Sequence, residues 1–288
     1  MALLDFILNL AALLLWLNWR LLALAPRESG PSGISLAGTI KSTAASRSPR
    51  WPYLSGLGGL LLVRSLAYHT IGSNLAERMT LPFGIVSISF NPRILKQMFL
   101  FSGLSFGLFL GAFYLWLLLF SIVNTRVTEP NACLRLLRLH LGWWERRPVW
   151  LKLLLPGVLG ALAWLIAASL LEALALFPAQ SSNTARGLRA CLVGLYTYLC
   201  WVPPLASVLV LYMVNSYVYL GESAFWGFVQ VTGRNLIEQV GLAKLRLRRL
   251  DFAPLLLLAL VWFLQWRGHL GWFFGGARLL VEGWNRLR

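Results

Sequence analysis

The chain has 288 residues, of which 58% are hydrophobic and only 12% are charged. Soluble domains carry about 25% charged residues, so this composition excludes an ordinary water-soluble domain. The formal net charge is +16, a balance that is also typical of nucleic-acid-binding proteins. Here, however, the basic residues lie mostly in short segments between apolar runs, and this placement argues against nucleic acid as a partner.

Six apolar runs approach or exceed the roughly 20 residues that a helix needs to cross a hydrocarbon core of about 30 Å. A soluble domain of this length could not bury six apolar helices of this length. The sequence therefore predicts an all-α, polytopic integral membrane protein with about six transmembrane helices. The predicted spans are 3–24, 54–71, 97–123, 151–177, 188–220 and 252–274.

The first run resembles a secretory signal, because Ala23-Leu24-Ala25 offers a cleavage site for a signal peptidase. The run is too long for that, and it carries Asp5 but no basic residue at its start. We therefore predict a retained transmembrane helix over 1–25. Residues 26–52 are nearly half Gly, Pro and Ser, which predicts a flexible linker. The remaining segment, 53–288, is predicted to be a membrane-embedded helical domain.

Arg64 interrupts the second apolar run. A cation at the centre of a spanning helix costs about 2.5 to 3.5 kcal/mol on insertion scales, so it should face protein or water and find a partner. The candidate partners are Asp5, Glu172 and Asn215. Arg64 could belong to an ion or lipid-headgroup site, or to a buried ion pair that fixes helix register. It could also reach the membrane surface if the helix lies shallower.

Two further patterns concern the spanning helices themselves. A strip along one face of the third span has no side chains, because it carries Gly103, Gly107 and Gly111. This spacing predicts close packing against a helix of this chain or of a second copy. Pro203-Pro204 divides the fifth run and predicts either a bend or a broken helix that lines a cavity.

Two loop segments, 131–144 and 223–240, show leucine and aromatic residues at helical spacing and are predicted to be amphipathic helices. Such helices lie either in the headgroup plane or against the protein itself. In the headgroup plane, bases such as Arg135 and Arg138 would attract anionic lipid.

No catalytic constellation is recognisable. The three histidines are far apart in sequence, and no His, Cys and Asp residues have metal-ligand spacing. The three cysteines, Cys133, Cys191 and Cys200, do not indicate a disulfide framework. We therefore expect a protein that is not an enzyme and that binds neither a cofactor nor a metal.

The segment 223–258 contains an amphipathic stretch, then a basic run with Lys244, Arg246, Arg248 and Arg249, then Asp251 before an apolar run. This order resembles the repeat unit of the YggT family of small bacterial and plastid membrane proteins. The resemblance covers about 205–266 and, more weakly, 54–71, where Arg64 is placed like the arginine that closes the first span of that family. Ser223-Ala224 replaces the Asn-Pro of the family, and the prolines that flank its basic segment are missing here.

The resemblance implies a multi-pass protein of the bacterial plasma membrane with a non-enzymatic role in envelope organisation or in osmotic and ion homeostasis. In that interpretation the basic run faces anionic headgroups, Asp251 caps the last helix, and the glycines of the third span pack against another helix. Its partners would be anionic lipids and another membrane protein or a second copy. The alternative is a solute or ion transporter whose polar path involves Arg64, Glu172 and the Pro203-Pro204 break.

Overall fold

A computed structural model describes residues 2–24, 50–75, 79–83, 86–125, 127, 131–174, 176, 183–218, 221 and 223–239, together with 246–247, 250–251, 256–257 and 259. The predicted linker lies outside the described residues up to position 49. A helix begins at Trp51, so the last two residues of the predicted linker are helical, because Pro52 is tolerated in a first helical turn.

Eight α-helices occupy most of the described residues. They are α1 (Ala2–Leu24), α2 (Trp51–Leu75), α3 (Leu95–Val123), α4 (Ala132–Leu141), α5 (Val149–Ala173), α6 (Asn183–Thr197), α7 (Val202–Tyr217) and α8 (Ala224–Gln239). Two 3₁₀ turns, Gly142–Arg146 and Tyr198–Trp201, follow α4 and α6.

Four helical segments in the described ranges are long and apolar enough to cross a membrane: Leu3–Leu22, Leu95–Val123, Val149–Ala173 and the run Asn183–Tyr217. They correspond to four of the six predicted spans, and a membrane protein built on α-helices is confirmed. The helix α2 has the length of a span but is less apolar, because glycines, Arg64 and His69 interrupt its leucines. The sixth predicted span, 252–274, lies almost wholly outside the described residues.

Two short strand pairs were not predicted. The strands β1 (Met79–Phe83) and β2 (Val86–Phe90) form a two-stranded sheet, and β3 (Arg246–Leu247) pairs antiparallel with β4 (Leu250–Asp251). In β1 and β2 the buried residues alternate with exposed ones, which is the period-two pattern of a half-buried strand.

The chain divides into two compact units. The first contains residues 1–79 and 90–109, and the second contains 80–89 and 110–288. In the first unit, α1 and α2 pack together with the N-terminal part of α3, and Tyr68, Phe90 and Phe101 form edge-to-face ring contacts. In the second unit, the C-terminal part of α3 packs with α4, α7 and α8 around Leu118, Leu119 and Leu209.

The helices α5 and α6 approach each other closely in the second unit. A Cβ atom at Gly194 would lie 2.5 Å from the carbonyl oxygen of Gly157, and one at Gly160 would lie 3.1 Å from the Cα of Gly194. Glycine is required at these positions because the two backbones touch. By contrast, a Cβ at Gly103, Gly107 or Gly111 would meet nothing within 4 Å in the described chain.

The two amphipathic segments are helical, and their apolar faces point into the second unit. Leu134, Leu137 and Leu141 of α4 are buried, as are Val229 and Leu236 of α8. Asn131 caps the N-terminus of α4, and its side chain accepts a hydrogen bond from the backbone N–H of Cys133 at 2.8 Å. Their stripes therefore pack mainly on the protein itself.

Replacing Gly194 by alanine should destabilise the fold by about 1 to 3 kcal/mol, because the new methyl group would push α5 and α6 apart. Gly107→Ala is the matched control. It should be neutral or stabilise by up to about 1 kcal/mol, since alanine is the better helix former and the site is open. Unfolding in mixed detergent micelles measures both changes. Equal losses of stability would contradict the assigned packing.

Candidate functional site

Arg64 lies at the centre of a polar cluster in the first unit, and its side chain is fully buried. Its guanidinium forms an ion pair with Asp5 and donates hydrogen bonds to Asn9 Oδ1 at 2.7 Å and Ser105 Oγ at 2.8 Å. The cluster therefore joins α1, α2 and α3. Of the three partners considered for Arg64, Asp5 is the one in contact with it.

The other groups of the cluster complete the hydrogen bonding around the carboxylate. The Tyr68 hydroxyl donates to Asp5 at 3.0 Å, and Ser105 Oγ donates to its second oxygen at 3.1 Å. The Asn9 amide donates to Ser105 Oγ at 3.0 Å. In each of these hydrogen bonds the donor is an N–H or O–H group and the acceptor is an oxygen atom. The one positive and one negative charge cancel, so the cluster is neutral, and Arg64 Nε is left without a hydrogen-bond partner among the described residues.

The depth of the cluster follows from the position of Asp5. Asp5 lies in the first turn of α1, two residues after the start of the apolar stretch Leu3–Leu22. At 1.5 Å per residue, the carboxylate enters only about 3 Å, or roughly half a helical turn, into that stretch. Because Arg64 is bound to Asp5, it lies at the same level, although it is central in the sequence of α2. The positive end of the α1 dipole also favours an acidic residue there.

A second polar cluster, in the second unit, was not predicted as a site. Lys152 of α5 is fully buried, donates to Ser121 Oγ of α3 at 2.8 Å, and lies 3.5 Å from a carboxylate oxygen of Glu145. Ser121 in turn donates to Glu145. Arg138 lies 3.6 Å from the other Glu145 oxygen and donates to the carbonyl of Val127 at 2.7 Å. The sequence signal was a lysine at the second position of the predicted span 151–177.

Glu172 is paired with Arg186, so the acidic residue assigned to a polar path has a partner of its own between α5 and α6. Arg64 is likewise paired inside the first unit. The structure thus assigns a separate partner to each of the two charges that the transporter interpretation joined.

The Pro203-Pro204 break is a short 3₁₀ turn, after which both prolines lie in the first turn of α7. Because Pro204 has no N–H, the carbonyl of Cys200 loses its helical donor. The indole N–H of Trp116 replaces that donor at 2.9 Å. The carbonyl of Leu199 accepts from the backbone N–H of Val202. These freed carbonyls are therefore satisfied within the protein.

The predicted headgroup-facing bases are only partly described. Arg135 is exposed, whereas Arg138 is half-buried and paired with Glu145. Arg246 and Asp251 are opposite each other in the register of β3 and β4, and their side chains lie outside the described residues. So do Lys244, Arg248 and Arg249. The proposed capping role of Asp251 stays a prediction.

No protein-family model, curated protein or solved structure matches this chain. The YggT resemblance therefore remains a prediction. Within the described ranges, His, Cys, Asp and Glu side chains do not come together in groups of three or more that could hold a metal ion. The arrangement that the described residues do provide is a set of polar clusters with buried ion pairs, Arg64 with Asp5 and Lys152 with Glu145.

Arg64→Ala should destabilise the fold by about 3 kcal/mol or more, because it leaves the carboxylate of Asp5 without its cation in a largely buried site. The matched control is Arg234→Ala, which removes an exposed pair with Glu238 on the surface of α8 and should cost less than about 1 kcal/mol. Thermal unfolding in detergent reports the difference. Similar losses of stability for the two variants would show that the buried pair stabilises the fold no more than the exposed pair does.

Trp116→Phe should cost about 1 to 3 kcal/mol, because it leaves the Cys200 carbonyl without a donor. In a Pro204→Ala background, the restored backbone N–H can take that role, and the same tryptophan substitution should cost clearly less. Unfolding free energies of the four proteins test the relation. If the cost of Trp116→Phe is the same in both backgrounds, the assigned replacement is wrong.

Proposed function

We propose that this chain is a non-enzymatic, multi-pass protein of the bacterial plasma membrane, similar to YggT, that organises the cell envelope or supports osmotic and ion homeostasis. It acts through contacts with lipids and with other membrane helices. In this proposal α2 and the run 252–274 also cross the membrane, which gives six spans.

The observation that supports this proposal most directly is the pairing of charges in and between the helices. Arg64 is paired with Asp5, Glu172 with Arg186, and Lys152 with Glu145. A transport site needs charged or polar groups that exchange partners with a solute or ion during each cycle. Groups that are already neutralised inside the protein are suited instead to holding helices in register.

The outward surfaces fit the same role. Leucine and other apolar side chains of α5 are exposed along its length, among them Leu154, Leu159, Leu162 and Ile166. Gly103, Gly107 and Gly111 face open space in the described chain, and the proposal assigns them to contact with another membrane helix. Small residues allow such contact because they let backbones approach closely.

The purified chain, reconstituted into sealed vesicles, should conduct no ions or small solutes above the level of protein-free vesicles. Fluorescent indicators inside the vesicles measure this, and an added ionophore shows that the vesicles are sealed and the indicators respond. Flux that Arg64→Ala abolishes and Arg234→Ala preserves, with both variants inserted to the same extent, would contradict the proposal and favour the transporter.

A further inference from the structure

We infer that residues 143–150 form a binding site for the phosphate group of an anionic phospholipid. The inference rests on the proposed function, since it names the lipid class and the residues that contact it. It differs from the basic run at 244–249, and it depends on four side chains within one short segment: Trp143, Arg146, Arg147 and Trp150.

The segment is placed at a membrane boundary by the helices on either side. The candidate span α3 ends at Val123 and the candidate span α5 begins at Val149. The helix between them, α4, has 10 residues and would reach only about 15 Å, too little to cross a bilayer. The hydrogen bond from Lys152 to Ser121 confirms that these two ends lie at the same level. Residues 143–150 therefore lie where the spans meet the headgroups.

The aromatic residues of the segment have the exposure that this boundary favours. Trp143 is 60% exposed and Trp150 is 66% exposed. Indole prefers the interface, where its ring contacts acyl chains and its N–H contacts headgroups. The two tryptophans thus mark the level of the lipid phosphates.

In the part of the chain that the structure describes, Arg146 and Arg147 have no acidic partner. Glu145 is turned inwards to Lys152 and Ser121, and its other oxygen faces Arg138. Neither Arg146 nor Arg147 forms an ion pair within the described residues. Arg146 is exposed, and the guanidinium of Arg147 lies 3.6 Å from the centre of the Trp143 ring.

This geometry suits a phosphate group. A guanidinium stacked on an aromatic ring is held in one orientation while its edge donors stay available. Arginine donors match phosphate oxygens two at a time. Lys152 acts as a positioning residue, because by neutralising Glu145 it prevents that carboxylate from pairing with Arg146 or Arg147. The charge of the segment is therefore directed outwards, towards an anionic headgroup.

The test uses the full chain in uncharged detergent, titrated with short-chain phosphatidylglycerol or phosphatidylcholine, with native mass spectrometry to measure bound lipid. Arg146→Gln/Arg147→Gln should weaken phosphatidylglycerol binding about 25-fold, since each base near the surface contributes about fivefold. Binding of phosphatidylcholine should be unchanged. Trp143→Leu, which keeps the charge and removes the stacking surface, should weaken phosphatidylglycerol binding about threefold.

The matched control is Arg93→Gln/Lys96→Gln, which removes the same charge from two other exposed positions and should change binding less than twofold. Inorganic phosphate at millimolar concentration should not displace the lipid. Wild-type affinity in the Arg146→Gln/Arg147→Gln variant, an equal loss in the control, or displacement by free phosphate would overturn the inference. None of these results depends on flux, so the proposed function is judged separately.

Discussion

The described structure depends on one constraint: a charge that leaves water must be neutralised by the protein. An unpaired ion inside a low-dielectric region loses several kcal/mol of hydration, and a partner at close range recovers that loss only when the remaining donors and acceptors are also satisfied. In the Arg64 cluster, Asp5 neutralises the guanidinium, and hydrogen bonds with Asn9, Ser105 and Tyr68 satisfy most of the other donors and acceptors. Arg64 Nε is left without a partner among the described residues. Because its members come from α1, α2 and α3, satisfying the charge also sets the register of the three helices.

The same constraint acts on the backbone. A carbonyl freed by proline cannot bond to water in hydrocarbon and must find a donor in the protein. Trp116 supplies that donor to Cys200 beside Pro204.

Packing between α5 and α6 has a different origin. Lipid chains are as apolar as leucine, so the hydrophobic effect does not drive helices together in a membrane. Close backbone contact at Gly157, Gly160 and Gly194 supplies the dispersion contacts instead.

Much of the helical architecture could be predicted from the sequence, because a long apolar run in a membrane leaves the backbone few alternatives to a helix. The need of Arg64 for a partner was also predictable from its place in an apolar run. The sequence could not predict that this partner is Asp5 and not Glu172, because the pairing depends on which helices are neighbours. For the same reason the sequence could not show that Gly157 and Gly194 make close contact while Gly103 and Gly107 face open space. The β1–β2 sheet was missed although its alternation was visible, because five-residue strands are a weak signal beside long apolar helices.

The most direct test of the account is the coupling between Asp5 and Arg64. Unfolding free energies in mixed micelles would be measured for the wild-type chain, Asp5→Asn, Arg64→Gln and the double variant. If the pair organises the first unit, the double variant should lose less stability than the two single losses combined, with a coupling of about 1 to 3 kcal/mol. Strictly additive losses would show that the two residues act independently and would contradict the account.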